Sequence, residues 1–222
     1  MYEKLYNKEG NVPPPFRIDA KLYSKTYDFG IFIFDVTIPL RPLLSALKYM
    51  LQAKTTTDDN LSFPRSEIYL NGNRLVYDER NHLKVFKVLP RKITIDKHIK
   101  DIAIEIVTPL YIKDKGNFKR SIKLDDILLS IHRRKRTFEI GKQDTSSLKY
   151  TPSYTLISSE LKIFHEKTHS NDQNTDVPLL GVTGQLVIMN LDEKSFELLK
   201  YGEILALGNK VAKGQGIIRL VY

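Results

Sequence analysis

The last quarter of the chain constrains its fold most. Leu179-Leu180-Gly181-Val182-Thr183-Gly184-Gln185-Leu186-Val187-Ile188-Met189 reads as a strand. Phe196, Leu198, Leu199, Ile204 and Leu205 then recur at the mixed three- and four-residue spacing of an amphipathic helix, with Asp192 or Ser195 as its N-cap. Ile217 to Tyr222 is a short apolar segment of strand type. Between helix and last strand, Gly208, Gly214 and Gly216 surround Lys210 and Lys213. Glycine alone adopts positive φ cheaply, so the backbone is free to approach a ligand here. A basic, glycine-rich turn suits a phosphate, while a plain helix C-cap and tight turn fit the same residues. The spacing lacks the Gly-Lys-Ser/Thr ending of a nucleotide-hydrolase loop.

Charge narrows the partner. The chain has 222 residues, 41% of them hydrophobic, which implies a globular protein of one large or two small domains. A formal net charge of +9 favours a polyanion, most often nucleic acid. An anionic membrane surface would compete, but no apolar run reaches the roughly eighteen residues of a spanning helix. Met1-Tyr2-Glu3-Lys4 also lacks the apolar core of a signal peptide, so the expectation is a soluble, cytoplasmic protein. The absence of cysteine removes disulfides, thiolate nucleophiles and cysteine zinc sites.

Taken in order, residues 1 to 26 read as an N-terminal arm, with Pro13-Pro14-Pro15 leading an extended Phe16, Arg17 and Ile18. Phe29 to Val36 has the all-apolar character of a strand buried on both faces. Pro42 near a helix start leads Leu43, Leu44, Leu47, Tyr49, Met50 and Leu51 in a helix ending near Lys54. After the polar loop Thr55 to Asn60, Asn71-Gly72-Asn73 between Glu67–Leu70 and Arg74–Tyr77 predicts a hairpin. Ile93 to Ile95 and Ile102 to Val107 read as strands, the second alternating as if one face were wet, and Pro109 ends it or marks an edge. A second helix starts at Ser121, with Leu124, Ile127, Leu128 and Ile131 on one face. Leu148 to His165 reads as one or two strands and Glu166 to Asp176 as a polar loop. Strand, helix and hairpin patterns thus occur twice. The expected class is α+β, two tandem ferredoxin-like (RRM-like) domains with antiparallel sheets. Domain one is 1–140 and domain two 141–222, with 107–136 assignable to the second.

The second helix ends in His132-Arg133-Arg134-Lys135-Arg136. A helix C-terminus welcomes one or two cations. Four in succession repel one another, so Arg133, Arg134, Lys135 and Arg136 read as an anion-binding cluster. His82, His98, His165 and His169 have no metal-ligand spacing, and no metal or cofactor is implied.

Val107-Thr108-Pro109-Leu110-Tyr111-Ile112-Lys113, Gly116, the helix ending His132-Arg133-Arg134, and Leu199-Lys200-Tyr201-Gly202-Glu203-Ile204-Leu205 with Gly208-Asn209-Lys210 through Gly214-Gln215-Gly216 together resemble the CRISPR-associated endoribonuclease that cuts repeat RNA into guide RNAs. That family belongs to the RAMP superfamily, whose members commonly pair two ferredoxin-like domains and carry a C-terminal glycine-rich loop. The resemblance implies binding of a CRISPR repeat, often as a hairpin, and metal-independent cleavage by 2′-hydroxyl attack. It further implies RNA contacts from Arg133, Arg134, Lys135, Arg136, Gly208, Lys210, Lys213, Gly214 and Gly216, with CRISPR effector subunits or a second copy as protein partners. Many relatives hold a histidine two residues before the loop's first glycine, where this chain has Ala206. An inactivating substitution, another catalytic residue and loss of cleavage all fit. The alternative residues are His132, Tyr201 and Lys210. The competing reading of the whole chain is a non-catalytic RNA-binding subunit of a CRISPR effector complex; a general RRM-type module lacks its aromatic strand signature.

Overall fold

The computed structural model describes residues 14–20, 29–34, 38–52, 67–70, 74–78, 93–95, 97–170 and 175–222. The turn expected at 71–73, the loop expected at 55–60, His82 and most of the N-terminal arm lie outside them. The chain forms two compact units, one of Met1–Lys4 with Val36–Lys92 and one of Leu5–Asp35 with Ile93–Tyr222.

The larger unit is built on an antiparallel four-stranded sheet. Its strands are β5 (Ile102–Leu110), β8 (Thr155–Ser170), β9 (Thr175–Met189) and β10 (Ile218–Val221), in spatial order β10-β5-β9-β8. Helix α2 (Leu124–Ile140) follows β5 and helix α3 (Glu193–Leu205) follows β9. The order β-α-β-β-α-β, with the last strand beside the first, is ferredoxin-like. On β5, Ile102, Ile104 and Ile106 are buried while the residues between them are not. Their cross-strand neighbours are Ile188, Leu186 and Gly184 on β9 and, for Ile104 and Ile106, Leu220 and Ile218 on β10. Leu124, Ile127, Leu128 and Ile131 of α2 and Phe196, Leu198 and Leu199 of α3 complete one core cluster. Each such side chain contributes roughly 1.5–3 kcal/mol of transfer free energy. The helices cross closely at Gly202, where a Cβ would lie 2.5 Å from Ile131 Cδ1.

The other face of this sheet carries one polar row and one largely apolar row. Across its four strands run the rows Arg219, Glu105, Gln185, Glu160 and Val221, Ala103, Val187, Ser158. Arg219 and Glu105 pair at 3.3 Å. Neither row holds an aromatic ring, so the stacking platform of an RRM is missing from them.

Helix caps account for both ends of α2 and the start of α3. Lys123 N–H donates to Asp126 Oδ2 at 2.9 Å and Gly141 closes α2 at φ 67°. Asp192 caps α3 by accepting from Ser195 N at 2.9 Å. Hairpin β1 (Phe16–Ala20) and β2 (Phe29–Ile33) belongs to this unit, as does the short ribbon β6 (Lys113–Asp114) and β7 (Asn117–Phe118). The smaller unit contains α1 (Leu40–Gln52) and the antiparallel pair β3 (Ile68–Leu70) and β4 (Arg74–Tyr77). Leu44, Val76 and Tyr77 are buried in it.

Several sequence expectations need correction. Residues 93–95 and 148–154 are not strands. Within 166–176, Glu166–Ser170 and Thr175–Asp176 are strand, the ends of β8 and β9 paired as far as Ser170 with Thr175, because ladder hydrogen bonds outweigh their polar composition. A domain boundary at 141 would part β5 from β9 and β10, its partners in one sheet, and a boundary at 107 would divide β5 itself. Among the described residues no helix is long and apolar enough to cross a membrane.

Candidate nucleic-acid interface

The glycine-rich loop is moulded on the segment that follows the middle of β5. Val107 N–H donates to Ile217 O at 2.9 Å, Ile217 N–H to Thr108 Oγ1 at 3.0 Å, and Gly216 N–H to Pro109 O at 3.2 Å. Asn209 N–H reaches Tyr111 O at 2.8 Å. The β5–β9 register shifts between Ile106 and Leu110, which frees this stretch to bond the loop instead. Pro109, lacking an N–H, costs the ladder nothing there. The two segments joined by the sequence resemblance are therefore one structural object.

Its glycines do different work. Gly208 and Gly216 have φ of 78° and 76°, and a Cβ on them would lie 2.6 Å from Tyr111 O and 1.8 Å from Leu207 O. These two shape the loop through close backbone contact. Gly214, at φ 79°, has only Ile18 O at 3.6 Å, so its outer side is open. Gly208 N–H donates to Ser130 Oγ of α2 at 2.9 Å, tying loop to helix. Lys210 itself adopts φ 63° and precedes a single 3-10 turn, Val211–Lys213.

Three lysines gather at this loop. Burial, then the like charges of Lys213 and Lys113, push the Lys210 ammonium below its ordinary value. Its Nζ stands 5.1 Å from the Tyr111 ring centroid, and Tyr111 stacks on Phe118 at 5.1 Å with 22° between planes. Cations of one sign held together, over an aromatic pair, favour a phosphate with a base beside it. In the sequence Lys113 and Tyr111 stand only as parts of a motif. Nothing in their spacing brings them to Lys210; the bond from Asn209 to Tyr111 does.

The basic end of α2 is divided by its helical spacing. Arg133 donates from Nε to Ser146 O at 3.0 Å. Lys135 pairs with Glu139 at 2.9 Å and lies 4.6 Å from the Tyr201 ring centroid, and Arg136 pairs with the same Glu139 at 3.3 Å. The hydrogen bond from Lys135 holds Glu139 below the usual carboxylate range. Arg134 requires correction. It is 6% exposed, donates from Nε to Leu205 O at 2.8 Å and stands 5.0 Å from the Phe138 ring centroid. Burial, with Arg17 nearby, pushes it down to about 10. It belongs to the interior, at the end of α3, and not to the exposed cation cluster that the sequence suggests.

The proposed catalytic positions also separate. His132 Nε2 lies 3.2 Å from Ser146 Oγ, which donates to Asp144 Oδ2 at 2.5 Å; burial pushes the imidazole below its ordinary value. This clasp fastens the segment after α2 and takes no part in the loop. Tyr201 packs against the core cluster. Ala206 is fully enclosed, clustered with Val211 and Ile217, at φ 53° and ψ 179°. A histidine there would have to displace Val211 or Ile217 or reach past them. Lys210 alone of the four lies on the loop's open side. His98, whose Nε2 lies 2.8 Å from Leu191 O, is structural. Among the described residues no three His, Cys, Asp or Glu come together as a metal site would need.

No family model matches the chain. An uncharacterized protein of Archaeoglobus fulgidus is 27% identical over 158 residues, 69% of this chain and 50% of that protein; the chain thus spans half the length of the curated relative it matches. A product complex of Thermus thermophilus Cas6 is similar over 99% of this chain and 89% of that one, with a TM-score of 0.54 and 12% identity. A second Cas6 product complex covers 100% and 88%, with a TM-score of 0.49 and 14% identity. The chain has a Cas6-like α+β fold.

Proposed function

We propose that the chain binds a CRISPR repeat RNA hairpin at its glycine-rich loop and cuts it without a metal ion. The observation that carries this reading is the Lys210 ammonium over the Tyr111 ring, under the like charges of Lys113 and Lys213, at the glycine-rich loop of a Cas6-like fold. In the reaction a ribose 2′-oxygen bonds to the adjacent phosphorus, the bond from phosphorus to the 5′-oxygen breaks, and a 2′,3′-cyclic phosphate remains. The 2′-proton passes to a base and the leaving oxygen gains one. Lys210, with its lowered pKa, stabilises the negative charge on phosphorus and supplies the proton to the leaving oxygen. Arg136 and Lys135 extend the contact to the RNA backbone, and the smaller unit, with α1, β3 and β4, is the counterpart of a second ferredoxin-like domain. CRISPR effector subunits and a second copy of the chain are the protein partners of this reading.

Labelled repeat hairpins incubated with the protein in EDTA test it. Single-site cleavage with a cyclic phosphate end, slowed by Lys210→Ala, is the expected result. Cleavage that requires magnesium, or affinity no greater than for random hairpins, contradicts it. The enclosure of Ala206 favours one second reading, an RNA-binding subunit that does not cut. That reading predicts tight, selective retention of intact repeat RNA, with Ala206→His restoring nothing.

A further inference from the structure

The last carbonyls of a helix need partners from outside it. In α3, Gly202 O is met by Ala206 N–H at 2.9 Å, but Glu203 O and Leu205 O are met by arginines. Arg134 comes from the neighbouring α2. Arg17 comes from β1, 186 residues earlier in the chain. No glycine closes this helix, and Ala206 holds a backbone conformation that L-residues rarely adopt, so the helix end depends on these side chains.

Arg17 is held through both of its terminal nitrogens and its guanidinium face, while its Nε has no hydrogen-bond partner. It is 4% exposed, its NH1 donates to Glu203 O, its NH2 to Asp19 Oδ2 at 3.3 Å, and its guanidinium stands 4.0 Å from the Phe32 ring centroid on β2. The next residue brings Ile18 O within 3.6 Å of the Cβ direction of Gly214. β1 therefore touches the loop at its entry, beside Glu203, and at its exit, beside Gly214. We infer that Arg17 is a positioning residue of the RNA site: it fastens the β1–β2 hairpin to the end of α3 and so holds the glycine-rich loop in the shape that presents Lys210 and Lys213. The RNA part of this inference rests on the function proposed above. A lysine cannot replace Arg17, because its single ammonium does not reach a carbonyl and a carboxylate in two fixed directions as a planar fork does.

Hydrogen exchange of the free protein, together with RNA affinity, tests the inference. In Arg17→Lys and Arg17→Met the amides of residues 207–216 should exchange about 10-fold faster or more, while those of β9 stay as in the wild type. Affinity for a repeat hairpin should fall about 10-fold with an unchanged salt slope, since no phosphate contact is removed. Wild-type exchange in the loop of both variants overturns the fastening, and a loosened loop with unaltered affinity overturns the positioning role. A loosened loop in a protein whose wild type binds no repeat hairpin overturns the RNA reading instead. Should Arg17→Met fail to fold, Arg17→Lys decides the question by the same two measurements.

Discussion

Gly216→Ala and Gly214→Ala separate the two kinds of glycine in the loop. Both residues have left-handed φ, 76° and 79°, so alanine at either position costs about 1–2 kcal/mol in backbone strain. At 214 nothing else opposes it, the nearest atom being Ile18 O at 3.6 Å. At 216 the new methyl would lie 1.8 Å from Leu207 O. The backbone must open there, breaking the bonds from Leu207 N–H to Gly216 O at 3.0 Å and from Gly216 N–H to Pro109 O at 3.2 Å. Those are worth roughly 0.5–1.5 kcal/mol each. The expected destabilisation is therefore about 2–5 kcal/mol for Gly216→Ala against about 1–2 for Gly214→Ala. Urea unfolding of the three proteins, with m-values compared, measures the difference. Equal losses, or a Gly216→Ala protein within about 1 kcal/mol of wild type, would refute the moulding of the loop on residues 107–111.

Three further outcomes follow from the same geometry. Neutralising Lys113, Lys210 or Lys213 singly should flatten the slope of log affinity against log salt by about 0.7–0.9 each, measured by filter binding; an unchanged slope removes that lysine from the RNA contact. Burial lowers the His132 pKa in the folded state, so the unfolded chain binds more protons just below about pH 6.5, and stability should fall as pH drops from there toward the folded pKa. Urea unfolding across that window should show the decline in wild type and lose its His132 part in His132→Asn. Asp192→Ala removes the α3 cap and the acceptor for Ser153 N–H at 2.8 Å, and should cost about 1–2 kcal/mol by the same assay.

The larger unit was legible because its signals are local. Alternation in Ile102–Val107, the α2 face at Leu124, Ile127, Leu128 and Ile131, and the Asp192 cap all reappear as expected. What failed involved partners distant in sequence. Residues 166–176 look like a loop until β8 and β9 are paired across them, and β5 looks like part of a first domain until β9 and β10 are laid beside it. The basic run after Ile131 reads as one charged surface, yet one turn of helix divides it, sending Arg134 inward to Leu205 O and Lys135 toward Tyr201. Ala206 was read by its neighbours in sequence, whereas its side chain faces Val211 and Ile217. Arg17 stands in the sequence only as part of an extended arm and Tyr111 only as part of a motif, since their roles exist only where β1, β5 and the loop meet.

The RNA that copurifies with the chain tests the central claim most directly. Sequencing that RNA, with its ends mapped, should return CRISPR repeat sequence with one common 3′ end bearing a 2′,3′-cyclic phosphate, and the Lys113→Ala/Lys210→Ala/Lys213→Ala protein should retain far less of it. RNA of random sequence and scattered ends, retained equally by both proteins, would contradict the account.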